Sequence, residues 1–391
     1  MNFYVELEPG EAWADQDGLE LPEQARGFLE RAGGVLRRQV YGLRSADGQA
    51  VAVGIHRPGT AQETLGLVTG STELYPALLE FARERAFAAG ALSLKLAAPP
   101  TSGGQAGDRP TDTAGDGRAS ARRTDGIGQN SGQSDGRDAG LAVVPVSPLE
   151  AAAVGTGFAP LRAPLMGAAS AAGGEPLPTG LVARAWPTPA LELGYCHQTT
   201  LVTCGPIALL MALEAHGLVA RPDRAQEIGL WREATTMPAC DPYGLALAAA
   251  RLGASPRVVT STDQTMFNED GAEPWQLELR GFVQDDFRRR ATATAIPVSV
   301  RDFGVDAVRE EVAAGRIVVL LIDELAMHGV PTPHWIVVHG LVGEAFAVED
   351  PWFDDELGET WIDAHELIIP APDLDQMARW GAPPYRAMLS L

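Results

Sequence analysis

Apolar and polar positions divide the first hundred residues into short elements. Asn2–Leu7 reads as a strand and 22–32 as a helix. Residues 38–43 and 50–55 read as the arms of a hairpin around Asp47-Gly48, a dipeptide that supplies the positive φ of tight turns. In the helix predicted over 75–89, Pro76 suits the first turn, Leu78, Phe81, Ala82 and Ala89 share one face, and Gly90 sits at the stop. A strand follows at 92–96. Later come a strand at 141–146, a short helix at 148–154, the dipeptide Gly157-Phe158 and a strand at 161–166. This block is a mixed α/β unit with an antiparallel component.

Between its parts the pattern stops. Residues 99–140 hold Ile127 as the one large apolar side chain and no aromatic, too little to offset the entropy of ordering, so they read as a disordered insert. A long surface insertion adds closure entropy only logarithmically, so the flanking segments form one domain over 1–170. Residues 171–189, with Gly173-Gly174, Pro176, Pro178, Pro187 and Pro189, read as a linker to a second domain over 190–391. There, Pro206 fits a first helical turn, and the apolar run 207–216 stops at Gly217. A helix at 245–252, a strand at 317–323 and a hairpin turning near Gly343 follow. The fold class is mixed α/β.

Composition changes this picture little and charge narrows it. A chain of 391 residues with 46% hydrophobic and 21% charged residues is neither globally disordered nor fibrous. Its net charge of −21 repels phosphate backbones and anionic lipid headgroups, so neither nucleic acid nor membrane is expected as a partner. No run approaches the roughly 18 uninterrupted apolar residues of a spanning helix. The first ten residues lack the basic and apolar regions of an export signal. Three cysteines without a CxxC pair indicate neither a disulfide framework nor a thiolate zinc site, and together these features suggest a cytoplasmic protein. One lysine, Lys95, against 29 arginines fits a GC-rich bacterial coding bias. No cofactor or metal is expected.

The chemistry concentrates in 193–217, LGYCHQTTLVTCGPIALLMALEAHG. Cys204 precedes Gly205-Pro206 at the start of a buried helix, where the helix dipole and free N–H groups stabilise a thiolate. Taken alone, a core cysteine is the commoner reading. Gln198, six positions earlier, can bring its amide to the same place as an oxyanion donor. Downstream, His334 and Asp350 lie symmetrically about position 342, so a hairpin puts them nearly opposite, and their even separation puts them on one face. A carboxylate there can hold the imidazole in the tautomer a triad requires. The other candidates are weaker. Cys196 and His197 are adjacent and diverge, Cys240 has no base in reach, His339 falls on the opposite face from His334, and His216 suits a helix C-terminus. A zinc site from His328, His334 and Asp350 lacks an HExxH motif.

Gln198, the Cys204-Gly205-Pro206 helix start, Asp241-Pro242-Tyr243-Gly244 before a helix, His334 on a strand and Asp350-Pro351 after a hairpin together resemble the C39-like branch of the papain-like cysteine peptidases, over 191–369. The resemblance implies a papain-like α+β domain in which Cys204 is nucleophile, His334 general base and acid, Asp350 orienter and Gln198 oxyanion donor. Thr203 stands where transporter-associated members often place Asp, which bears on leader-peptide specificity. The implied activity is a cysteine peptidase, or a related amide-bond acyl-transfer enzyme, working through a thioester on a peptide or protein substrate. Residues 2–168 resemble the GCN5-related acetyltransferases in element order, with 65–71 departing from the family's glycine-rich pyrophosphate loop and lacking a basic residue. Two alternatives stay open: a catalytically idle peptide-binding protein, and an N-acetyltransferase acting through the N-terminal domain. The run 348–359 carries six carboxylates, which either rim the cleft and favour basic peptides or form a solvated loop.

Overall fold

The computed structural model describes residues 1–13, 21–46, 48–99, 147–167, 177–187, 191–268 and 272–391. The predicted insert beyond Pro99, the strand at 141–146 and Asp47 of the hairpin turn lie outside the described residues.

Among the described residues two seven-stranded sheets form, each mostly antiparallel with one parallel pair. The first is built from β1 Asn2–Leu7, α1 Glu23–Arg31, β2 Arg37–Ser45, β3 Gly48–His56, β4 Gln62–Gly70, α2 Tyr75–Ala88, β5 Ser93–Ala98, α3 Pro148–Gly155, β6 Ala159–Pro160 and β7 Thr179–Arg184, in strand order β1-β2-β3-β4-β5-β7-β6. The β2–β3 hairpin pairs Arg38 with Ile55 and Leu43 with Ala50, the arms expected from the sequence. A capping box closes the start of α3, where Ser147 Oγ accepts from Glu150 N and the Glu150 carboxylate accepts from Ser147 N.

Two expectations are corrected, and one stretch with no predicted element is placed. Residues 65–70, which depart from the acetyltransferase loop pattern, run as the second half of β4 and pair with β3. Of the strand expected at 161–166, pairing is confined to Ala159–Pro160, with a lone bridge from Met166 to Cys196. Part of the expected linker is strand β7, whose Leu181, Val182 and Ala183 are buried between β5 and β6. Flanking prolines hide this strand, and so does Gly180, where a Cβ would come within 2.7 Å of the Trp361 ring. That glycine lets β7 lie directly against the second half of the chain.

The second half comprises α4 Cys204–Ala215, α5 Arg224–Ala234, α6 Pro242–Arg251, β8 Arg257–Thr260, α7 Pro274–Ala293, β9 Val298–Val300, α8 Val305–Ala313, β10 Val318–Asp323, α9 Leu325–His328, β11 Pro333–Val342, β12 Ala345–Glu349, α10 Trp361–Ala364, β13 Leu367–Pro370, α11 Ala371–Met377 and β14 Ala387–Ser390. The strand order is β13-β12-β11-β10-β14-β8-β9. Ile207 to Leu213 of α4 are all buried, so this helix has no wet face, and it packs with α6 on Val319, Leu321, Trp335 and Val337. The opposite face of the sheet, with Leu320, Ile336 and Val338, is covered by Val308 and Val312 of α8 and by Leu374 and Met377 of α11.

The first sheet docks on the segment around α10. Ala97, Leu161 and Val182 join the α4 core, and basic side chains from the first half reach across, Arg162 to Glu214 among them. Arg57 pairs with Asp350 and Glu359, Lys95 Nζ donates to the carbonyls of Ile362 (2.9 Å) and His365 (2.6 Å), and Arg184 pairs with Glu366. Lys95 is completely buried, and desolvation brings its pKa down to about 7 against the pull of Asp363, Glu366 and Glu349. Among the described residues no helix is long and apolar enough to cross a membrane.

Candidate active site

Cys204 opens α4 on a loop pinned from below. Thr203, the residue before the helix, makes no side-chain cap because its hydroxyl donates to Glu227 Oε1 at 2.5 Å. The same carboxylate, fully buried on α5, accepts from Thr199 N at 2.7 Å and Thr199 Oγ1 at 2.6 Å. One glutamate therefore holds both ends of the 199–203 loop. At Gly205 a Cβ would sit 3.1 Å from Cys240 Cβ and 3.1 Å from the Trp335 ring, so glycine allows the start of α4 to press against β11. The first N–H groups of α4 lack intrahelical acceptors, as at any helix start, and point toward the Cys204 end.

His334 lies on β11 opposite Ile322 of β10. Its Nε2 donates to Asp350 Oδ1 at 2.8 Å, just beyond the end of β12. The register that achieves this is not the symmetric one expected. Val342 pairs with Ala345 at the turn, a bulge falls between Val338 and Gly340, and Val337 then pairs with Glu349. Continued from the turn without the bulge, the pairing would put residue 350 on the face away from His334. The bulge shifts the register by one and restores the shared face, with the two side chains meeting diagonally.

Asp350 is fully buried and uses both oxygens. Oδ1 accepts from His334 and from Trp352 N at 2.9 Å, and Oδ2 accepts from Arg57 Nη1 at 2.8 Å. Burial raises its pKa, but the His334 and Arg57 charges prevail and hold it below the ordinary carboxylate range. The other ring nitrogen, His334 Nδ1, faces Glu324 Oε1 at 3.3 Å. Burial disfavours the charged ring, yet the Glu324 and Asp350 charges outweigh it, and hydrogen bonds to Asp350 and the Cys204 thiol add to them, so His334 is held well above its ordinary value. Glu324 itself is raised by burial, with His334 lowering it and Asp350 raising it.

The sequence-predicted residues thus come together unevenly. Cys204, His334 and Asp350 converge. Gln198 is buried beside them, its backbone N–H donating to Pro351 O at 2.9 Å, but its side-chain NH2 donates to Thr200 O at 2.9 Å and its Oε1 has no partner. Arg57 and Glu324 were missed. Glu324 follows the last residue of β10 and carries no motif, and Arg57 stands 293 positions from the carboxylate it binds.

The remaining candidates fall into place. Cys196 and Cys240 are buried; burial pushes the first up to about 12 and the second well above its ordinary value. His339 occupies the opposite side, where Glu349 lies between His339 Nε2 (3.3 Å) and His365 Nδ1 (2.7 Å). His328 faces Glu359 at 3.2 Å. Glu324, His334 and Asp350 bring one ligand atom each within 4.8 Å of one another, a spacing a metal could use. Both Asp350 oxygens are already occupied, however, and the Arg57 cation 2.8 Å away opposes a second one.

A cavity of about 500 Å³ adjoins Gln198, lined by His197, Thr200, Leu201, Arg224, Trp352, Phe353 and Asp355 among others. The six carboxylates of 348–359 do not form a rim: Glu349, Asp350 and Glu359 are buried in ion pairs, and only Asp355 lines this cavity.

Against this geometry, a family model described as Peptidase_C39 like family matches residues 193–391, just over half of the chain. The chain belongs to this family. Within the Peptidase_C39 like match fall Gln198, Cys204, Glu324, His334 and Asp350, whereas Arg57 lies outside it. The acetyltransferase resemblance of the first half gains no support from the match. No curated protein matches the chain.

Proposed function

We propose that the protein is a cysteine peptidase, or a related amide-bond acyl-transfer enzyme, acting on a peptide or protein. The observation that carries this reading is His334, hydrogen-bonded to Asp350 through Nε2, with a raised proton affinity to which the Cys204 thiol contributes. A cysteine at a helix start beside such an imidazole is poised to give its proton to the ring.

Cys204 passes its proton to His334, and the thiolate Sγ attacks the carbonyl carbon of the scissile amide. The oxyanion forms at the start of α4, where free backbone N–H groups, joined by the Gln198 amide if it leaves Thr200 O, can stabilise it. His334 then protonates the departing amine, the C–N bond breaks and a Cys204 thioester remains. Water or an amine, deprotonated by His334, attacks the thioester and restores the thiol. The cavity beside Gln198 offers Trp352 and Phe353 to an apolar side chain, and any preference for a basic one would rest on Asp355, with Arg224 opposing it.

Incubation with p-nitrophenyl acetate tests the reading. An acetyl adduct on Cys204, released by hydroxylamine and absent in Cys204→Ala and His334→Ala, is the expected result. Acetylation elsewhere with Cys204 untouched contradicts it.

A further inference from the structure

The triad carboxylate is held by a residue that the family match does not contain. Arg57 follows β3 of the first sheet and is buried with side-chain exposure of 2%. Its guanidinium spans two carboxylates of the second half: Nη1 donates to Asp350 Oδ2 at 2.8 Å, while Nε and Nη2 donate to Glu359 Oε1 and Oε2 at 2.8 and 2.9 Å. Such a two-pronged contact sets direction as well as charge. The backbone around Arg57 is itself fixed, since its carbonyl accepts from Thr60 Oγ1 at 2.7 Å and Ala61 N donates to Ile368 O at 2.8 Å. Asp350 Oδ1 is left to His334 and Trp352 N.

We propose that Arg57 is a positioning residue of the Cys204–His334 pair: by bridging Asp350 and Glu359 from the first sheet it sets the carboxylate that orients the imidazole, so that the catalytic unit is complete only when both halves of the chain contribute. The inference rests on the functional reading above. Three features distinguish this contact from ordinary packing between the halves. It ends on the second oxygen of the carboxylate that holds the triad imidazole, it is fully desolvated, and Glu359 extends it to His328 Nε2 at 3.2 Å, so the cation orders a chain of groups around the site. The charged and titratable groups facing His334 are Glu324 from the end of β10, Asp350 after β12 and Cys204 at the start of α4, with Arg57, His328 and Glu359 behind them. Removing the Arg57 cation therefore alters the field on His334 as well as the position of Asp350.

The test is the rate of Cys204 alkylation by iodoacetamide as a function of pH, in the full chain, with site mapping and a thermal melt for each variant. In Arg57→Met the rate at mildly acidic pH is expected to fall by roughly 10- to 100-fold, the scale of a misplaced catalytic group, with a displaced pH profile. Arg57→Lys, which keeps the charge but cannot span both carboxylates, is expected to lie between the two. Arg184→Ala removes another ion pair between the halves without touching the site, and is expected to keep the wild-type profile. If Arg57→Met does not fold, Arg57→Lys decides. A folded Arg57→Met or Arg57→Lys with the wild-type rate and profile overturns the inference, as does a profile displaced equally by Arg184→Ala. A wild type whose Cys204 is no more reactive than Cys196 and Cys240 overturns the functional reading, and this inference with it.

Discussion

Replacing Asp350 with Asn is the sharpest single perturbation of the site, because it keeps the shape and inverts half of the hydrogen bonding. The wild-type carboxylate accepts three bonds, from His334 Nε2, Trp352 N and Arg57 Nη1. An amide has one oxygen and one NH2. With the NH2 toward Arg57, two donors confront each other; with it toward His334, the NH2 confronts both the ring N–H and Trp352 N–H. Either orientation strands at least one buried donor, a cost of about 1–3 kcal/mol in stability. The ring is then free to take the other tautomer, which in a triad costs up to about 10⁴ in rate. Acylation of Cys204 by p-nitrophenyl acetate, read as nitrophenolate release, should therefore fall by ~10²- to 10⁴-fold. The sign of the pH dependence follows from Asp350 having a folded pKa below its unfolded value. Its contribution is fully present above the unfolded value near 3.8 and is lost as pH falls through the folded one, so the stability gap between wild type and Asp350→Asn is full at neutral pH and closes in acid. A folded Asp350→Asn with wild-type melting temperature and wild-type acylation rate would refute the reasoning.

Other groups give independent checks. Glu324→Gln removes a negative charge 3.3 Å from His334 Nδ1, so NMR titration of that ring should show a lower pKa than in wild type; no change would mean the carboxylate does not act on the imidazole. Gln198→Ala should raise the acylation barrier by roughly 2–4 kcal/mol if its amide serves the oxyanion, and an unchanged rate would leave it as a brace on Thr200. Lys95 has a folded pKa of about 7, below its unfolded 10.5, so the unfolded chain holds the proton more tightly between those values. Wild-type stability in urea should therefore rise relative to Lys95→Met from pH 7 toward 10.5, and parallel curves for the two proteins would contradict the lowered pKa of the buried amine.

What could be read from the sequence were the elements with local signals. The β2–β3 hairpin arms, the start of α4 at Gly205-Pro206 and the β11–β12 hairpin follow from turn chemistry and apolar runs. The pairing of His334 with Asp350 was legible through parity, although the geometry arises from a bulge near His339 that no residue pattern announced. Strand β7 was hidden because its signal lies between prolines, and its burial depends on Trp361 and β5 from elsewhere in the chain. Arg57 and Glu324 were illegible for the same reason: each matters through a partner supplied by the tertiary fold. The acidic run misled in the opposite direction. Charge density suggested a wet rim, but Glu349, Asp350 and Glu359 are each buried against a cation or histidine brought by another segment.

The central claim, that Cys204 is the nucleophile of this fold, is tested most directly by competition among its three thiols. All three are buried, but Cys196 and Cys240 are almost wholly enclosed (0% and 1% exposed) with raised pKa values, while Cys204 keeps 8% exposure at a helix start with His334 beside it. Limited iodoacetamide on the folded protein at mildly acidic pH, followed by site-resolved mass spectrometry, should modify Cys204 alone, and His334→Ala should slow that modification. Equal labelling of all three cysteines, or a Cys204 rate unaffected by His334→Ala, would contradict the account.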